Sequence, residues 1–585
     1  MGPWYVHAAV PVALVLATLL LYCGDLELGL FHLDDPTYIL KNPWIRSITA
    51  ENLKNILVES HYIEYAPTRN LSYMIDYVLS DGNPRAFHLS SNVWAGVCAG
   101  GVYLIALILL GRWTYAAAAA FLFVVHPSHV EAVAWISSRK DLVATAFTLP
   151  AMAAYFMYRR YPQRRMFYVA SLVCFAGGLG GKLSVVLVPG ILLLFDVFVE
   201  RRRSWGLVLD KIPYGVLTLF FTLQTVKEPL ERIPFTHLSD LGDILAQFAV
   251  LLTGLGDYVL SRPPLDPTTQ DWTRAIYVFV LPVAVGLPLL FYKKLPRLVP
   301  PLVYWILAAL APPLVGGVLH PVNDRYLFFP SVAFVILVAS VWKDVVRPSK
   351  QIAHATGILL LIVVSGIWAR NTLAYLAEWQ DPRSVWYAAK EKNNDVVVYQ
   401  YLGIHFHDAA DQLQTNLQGD EKSQAKAQRL AETLWNEDNR LEPLLEEWER
   451  GDSSSSLTKE FEAHLLELAR KNFDDAVRLK GTRVLPNLYF RRGKLAADEG
   501  DLIAARREFR TAYEESQKHI WREVRHEVAV RCLQALGIVA WREKNYAEAA
   551  EWLQKAESKQ AELGGNWVPE IRQQLQKLER IRDTR

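Results

Sequence analysis

Apolar residues are laid out along this chain in runs of about twenty, and the runs stop near residue 370. A run of that length crosses the hydrocarbon core of a bilayer as a helix, because only a backbone that bonds to itself survives there. Eleven such helices are predicted, near 8–28, 91–110, 114–133, 142–158, 166–181, 184–199, 207–224, 273–291, 300–317, 326–342 and 353–370. Beyond residue 370, Glu, Lys, Arg, Asp and Gln take over and the pattern becomes that of soluble helices. The predicted fold class is all-α: a polytopic membrane bundle over 1–370, an irregular helical connector over 371–480, and a soluble α-solenoid over 481–585.

In the last region two tetratricopeptide-like units align on their helix-packing positions. Gly493, Ala496, Gly500, Ala505, Phe509 and Ala512 form one set; Leu536, Gly537, Ala540, Tyr546, Ala549, Leu553 and Ala556 form the next. Small residues recur where two helices touch, and large ones where a groove is filled. A degenerate earlier unit is expected to start at Tyr401-Leu402-Gly403, and Ser453 to Ser456 to be a linker.

Charge orients the bundle. With the N-terminus cytoplasmic, Arg112, then Arg159, Arg160, Arg164 and Arg165, then Arg201 to Arg203, then Lys293, Lys294 and Arg297, then Lys343, Arg347 and Lys350 all fall on the cytoplasmic side. That is the bias membrane insertion imposes, and eleven crossings then put the C-terminal helices on the other face. The stretch 244–260 is long enough to cross, but a crossing there would invert every later loop. It is expected to lie on the outer surface, with a Pro-rich external loop after it. The first run has no basic segment before it and no small-residue cleavage pattern after it, so it is expected to be retained.

Composition adds exclusions. A net charge of +2 implies no polyanionic partner, and no nucleic acid is expected. The four cysteines form neither a disulfide framework nor a metal-binding pair.

The chemistry gathers outside. That face receives Asp34-Asp35, His126 and His129 with Glu131, Arg139-Lys140-Asp141, Lys182, and Asp324-Arg325-Tyr326. Ionisable groups beside a membrane are costly, which makes them functional candidates. The acidic pair reads two ways, as a general base with a raised pKa or as a solvated turn with a helix cap. The two histidines read as metal ligands with Glu131, as phosphate donors, or as loop anchors. Arg139, Lys140, Lys182 and Arg325 suit a phosphate held at the bilayer surface; singly, each also reads as a side chain snorkelling to headgroups. The aromatic row Tyr38, Trp44, Tyr62, Tyr65, Tyr73, Tyr77 and Phe87 reads as sugar-stacking or as the interfacial belt.

Four blocks are specific: 31–43 around Asp34-Asp35-Pro36, 87–92, 126–142 from His126-Pro127 to Lys140-Asp141-Leu142, and Asp324-Arg325-Tyr326-Leu327 with Pro330-Ser331. Together they resemble the transmembrane and tetratricopeptide repeat glycosyltransferases of the GT-C superfamily, relatives of the protein O-mannosyltransferases. The resemblance covers most of 25–400. It implies a GT-C membrane domain and an inverting transfer of a hexose from a polyprenyl or dolichyl monophosphate to a hydroxyl. Asp34 would be the general base and Asp35 its partner. His129, Arg139, Lys140 and Arg325 would hold the donor phosphate, supported by His126, Glu131, Asp141, Lys182, Asp324 and Tyr326.

No cofactor or divalent metal is then called for, because cationic side chains meet the charge of the leaving phosphate. Protein Ser and Thr hydroxyls are the expected acceptors, docked on the repeats, in a bacterial inner membrane or else the endoplasmic reticulum. Two rivals stand beside this reading: a GT-C transferase acting on a glycolipid or cell-wall acceptor, and a membrane-anchored repeat scaffold without catalysis.

Overall fold

Among the described residues between Trp4 and Asp583 helix follows helix, and no β-strand forms. The computed structural model describes residues 3–31, 33–61, 64–200, 205–225, 238–262, 272–315, 322–345, 351–380, 382–417, 455–480, 485–519, 522–562, 568 and 570–583. Tyr62, the cluster Arg201 to Arg203, Arg347, Lys350, most of the expected Pro-rich loop and the first half of the expected serine linker lie outside them. Two units are distinguished, Met1–Ala388 and Ala389–Arg585.

The first unit opens with α1 (Trp4–Leu21), α2 (Ala50–Val58), α3 (Pro67–Ser80), α4 (Pro84–Leu110), α5 (Trp113–Val124), α6 (Val130–Ala134) and α7 (Arg139–Arg160). It continues with α8 (Met166–Leu179), α9 (Val188–Phe198), α10 (Gly206–Leu209), α11 (Ile212–Thr225) and α12 (Leu238–Leu252). Then come α13 (Trp272–Leu290), α14 (Val299–Val315), α15 (Phe328–Val345), α16 (Gln351–Glu378) and α17 (Pro382–Lys392). Each of the eleven expected spans falls on helix. Among the described residues, five helices are apolar enough by length and composition to cross a membrane, six if one bent pair counts as a single span, and five more are apolar but shorter.

That bent pair corrects the third span. Its helix stops at Val124 and resumes at Val130, turned by 54°. Pro127 is the cause: it lacks an N–H and disfavours helical backbone at the residue before it, and His126 is accordingly extended at φ −72°, ψ 122°. The break matters because it turns the block from His126 to Asp141 into a compact knot of short turns with almost every side chain buried. The element expected over 244–260 also differs, being helical only as far as Leu252.

The helix α7 carries charge at both ends. Its first turn holds Arg139, Lys140 and Asp141; its last holds Arg159, whose Nε lies 3.1 Å from Asp196, with a second nitrogen 2.8 Å from Asp210. Lys211 completes that group, 2.7 Å from Asp196. Twenty-two residues of helix separate the two ends by about 33 Å, the thickness of a bilayer core.

In the second unit, α18 (Val396–Leu417) pairs with α19 (Ser455–Leu479), α20 (Pro486–Asp498) with α21 (Leu502–Gln517), and α22 (Arg522–Arg542) with α23 (Tyr546–Glu562), before α24 (Ile571–Asp583). The same contact recurs in each pair. A glycine on the first helix meets a large side chain on the second: Gly403 with Phe473, Gly493 with Phe509, Gly537 with Leu553. An added Cβ would stand 2.6, 2.7 and 2.8 Å from those side chains, so the residue there must be small. The hairpin beginning at Tyr401-Leu402-Gly403 thus has the same construction as the two later ones, with residues 418–454 lying between its helices in sequence.

Candidate active site

The two adjacent aspartates part company in the fold. Asp35 is fully buried; one oxygen accepts the Phe31 N–H at 2.8 Å, and the other accepts the Ser137 N–H at 2.9 Å and the Ser137 hydroxyl. Three donors on one carboxylate tie the loop after α1 to the turn before α7. Asp34 sits in the turn beside it with its carbonyl accepting the Thr37 and Tyr38 N–H groups, both at 3.0 Å. Its carboxylate is half-buried and makes no hydrogen bond or ion pair among the described residues. Asp35 therefore fixes the loop, and Asp34 is left uncommitted.

Burial pushes the Asp35 carboxyl up to about 6, against the pull of the bonds from Ser137 and Phe31. Because that lies above the ordinary 3.8, the folded protein takes up a proton that the unfolded chain lacks. Asp35 accordingly favours the fold most below about pH 4, and that contribution fades as pH rises through about 6. Asp35→Asn turns an amide toward N–H donors, leaving one unpaired, and is expected to destabilise the protein by about 1–3 kcal/mol at neutral pH. Thermal denaturation of the two proteins between pH 4 and 8 measures both the loss and the disappearance of this slope.

The three partly exposed cations are each paired with a carboxylate. Lys182 lies 2.7 and 2.8 Å from the two oxygens of Asp141. Arg325 donates from its backbone N–H at 3.0 Å and from its guanidinium to the buried Glu131. Lys140 reaches Glu64 at 3.2 Å. The Tyr326 ring is shared, 5.1 Å from Lys182 and 5.1 Å from Arg325, and Trp135 lies 5.1 Å from Arg325 on another side. Asp34 interacts electrostatically with Arg325, and Tyr38, bonded to Asp34 through the backbone, lies 5.7 Å from Lys140. All three cationic side chains are between 13% and 17% exposed.

Lys182 owes its position to the close approach of α8 and α7. A Cβ on Gly181 would stand 2.7 Å from the Ala144 backbone nitrogen, and the Gly180 carbonyl accepts the Thr68 N–H at 3.0 Å from α3. Gly181→Ala is expected to force the end of α8 outward, cost about 1–3 kcal/mol of stability and draw Lys182 from Asp141. A lower unfolding temperature checks this.

Other predicted residues lie apart from this group. Arg139 is the main correction: it is fully buried, with Nε 3.1 Å from the Ser91 hydroxyl and its other nitrogens on Asp76 and the Phe87 carbonyl. Tyr73 and Phe87 close over it at 4.9 and 5.5 Å. All three nitrogens are engaged and the side chain is sealed from solvent, which closes it to a phosphate. His129 is also buried, its Nε2 2.8 Å from the Ser331 hydroxyl and its ring against Phe123 and Phe328.

His126 faces the Leu252 carbonyl at 3.0 Å and receives the Ser128 N–H on its other nitrogen. These histidines anchor the knot of turns. Asp324 is paired with Arg262 at 2.8 Å and accepts the Val259 N–H at 3.0 Å, holding the segment after α12.

Glu64, Arg69 and Asp76, the partners that hold Lys140 and Arg139, do not stand out in the sequence. Glu64 and Arg69 flank an aromatic already noticed, Tyr65, and a charged residue on either side of it in an external loop was the available signal.

No protein-family model matches this chain. Among curated proteins it is 31% identical over 285 residues to Protein O-mannosyl-transferase Tmtc2 of Drosophila melanogaster, covering 45% of this chain and 27% of that protein. It is 32% identical over 287 residues to Protein O-mannosyl-transferase Tmtc1 of the same organism, covering 45% and 31%. With Protein O-mannosyl-transferase TMTC3 of Mus musculus it shares 23% over 445 residues, covering 66% and 47%. The chain thus spans less than half the length of these relatives. They bear out the resemblance drawn from the motif blocks, and with the apolar helices they mark a membrane protein.

Proposed function

We propose that this chain, like the O-mannosyl-transferases it resembles, is a membrane glycosyltransferase, and that it moves a hexose from a polyprenyl-phosphate donor to Ser or Thr hydroxyls of proteins. One observation carries the reading: an uncommitted carboxylate, Asp34, interacts with Arg325, which shares the Tyr326 ring with Lys182 and with it can meet a phosphate. The acceptor oxygen bonds to C1 of the sugar while the C1–O bond to phosphate breaks and its electron pair leaves on the phosphate oxygen. Asp34 takes the hydroxyl proton. Attack from the side opposite the phosphate inverts C1.

Lys140, Lys182 and Arg325 stabilise the charge that develops on the leaving group, with Tyr326 keeping two of them in place. Side chains meet that charge, so no step calls for a divalent metal. Asp35, Arg139, His126 and His129 hold the frame. The loop chemistry lies at the opposite end of α7 from Arg159 and Arg160, and the charge bias favours a transfer on the non-cytoplasmic face; a bacterial inner membrane is the location we propose. The paired helices beyond residue 389 serve as the acceptor's docking surface.

Purified protein in nanodiscs, offered polyprenyl-phosphate hexoses and the matching nucleotide sugars, is expected to transfer from a lipid phosphate with EDTA present. Transfer from nucleotide sugars alone would refute the reading.

A further inference from the structure

Glu64 plays no part in the transfer just described, yet it is where two cations meet. Arg69 reaches one of its oxygens and Lys140 the other, the latter at 3.2 Å. The Tyr38 ring lies 4.3 Å from Arg69 and 5.7 Å from Lys140. Arg69 is held in place, being fully buried and also bonded to Asn70. Lys140 is not: it has one long bond to Glu64, on a flexible stem. Lys182 has two short bonds to Asp141, and Arg325 two to Glu131. Of the three cations, Lys140 is the one a phosphate can recruit at least cost.

Recruitment creates a release problem. The donor phosphodiester carries one negative charge, whereas the product monoester approaches two at neutral pH. A cation set that holds the donor therefore holds the product harder, and product release commonly limits turnover in such a case. We infer that Glu64 is a positioning residue that reclaims Lys140 from the polyprenyl-phosphate product and so lets the product leave. The inference rests on the lipid-phosphate reading above. Burial alone would raise the Glu64 pKa, but Lys140 and Arg69 outweigh it and hold the carboxyl well below its usual range, so the competing anion is present at any physiological pH.

The test uses full-length protein in phosphatidylcholine nanodiscs and a radiolabelled short-chain polyprenyl monophosphate, with inorganic phosphate and phosphatidic acid as competitors. Glu64→Gln is expected to bind the lipid monophosphate roughly tenfold tighter and to keep its first turnover while steady-state turnover falls. The double variant Glu64→Gln with Lys140→Gln returns affinity to or below the wild-type value. Should Glu64→Gln fail to fold because Arg69 loses its partner, Lys140→Gln alone carries the test and must weaken product binding severalfold.

Unchanged or weaker product affinity in folded Glu64→Gln, or unchanged affinity in Lys140→Gln, overturns the inference while leaving the transferase reading in place. Displacement of the label by phosphatidic acid as readily as by unlabelled product also overturns it, because the site would then be a general headgroup site. Folded wild-type protein that binds no polyprenyl phosphate takes the transferase reading down as well.

Discussion

Asp34→Asn lowers turnover by about 10²–10⁴-fold and leaves donor affinity and unfolding temperature at their wild-type values. The size follows from the role: without a base, the acceptor hydroxyl attacks with its proton still attached. The unchanged stability follows from the structure, since the Asp34 carboxylate makes no hydrogen bond or ion pair among the described residues and the turn is held by its backbone carbonyl. Asn keeps the shape and loses only the charge. Steady-state kinetics with a lipid-phosphate sugar, alongside a melting curve, separates this from a folding defect. Equal turnover in the variant would remove Asp34 from the chemistry, and a fall in stability equal to that of Asp35→Asn would make the two aspartates interchangeable.

Arg139→Ala is expected to destabilise the protein by about 3–5 kcal/mol, enough to abolish accumulation in the membrane. The loss has nothing to do with substrate. Removing the guanidinium strands the Asp76 carboxylate, whose side chain is 9% exposed, and frees the Ser91 hydroxyl and the Phe87 carbonyl at the same time. Arg139→Lys rescues little, because a single ammonium cannot reach the three groups that the planar fork spans. Expression and detergent thermostability measure the effect. Stable Arg139→Ala protein with weakened donor binding would restore this residue to the phosphate site.

These two predictions mark where the sequence was legible and where it was not. The helices were readable because membrane thickness dictates the length of an apolar run, and each expected span falls on helix. The break at Pro127 was written in the sequence but masked by apolar residues on both sides of it. Asp34 stands out in the sequence because its motif is local, and the turn that holds it is bonded within that motif, to Thr37 and Tyr38.

The fate of the cations could not be found that way. Whether a guanidinium is free or spent depends on partners far along the chain: Asp76 stands 63 positions from Arg139, Glu64 stands 76 from Lys140, and Glu131 stands 194 from Arg325. Of the four positive residues, Lys140, Lys182 and Arg325 keep partly exposed side chains, and Arg139 is sealed in the frame. Burial likewise divides the aspartate pair, through a Ser137 that is 102 positions from Asp35. Repeat architecture was legible in its small residues, and Gly403 makes the same contact as Gly493 and Gly537 although its partner Phe473 lies beyond a long intervening segment.

Intact-mass and fragment analysis of an acceptor protein, after incubation with polyprenyl-phosphate mannose and either wild-type or Asp34→Asn enzyme, tests the central claim most directly. Hexose additions on Ser or Thr with wild type, and none with folded variant, are the predicted result. Hexose appearing equally with both proteins, or with neither while the wild type is folded and saturated with donor, would contradict it.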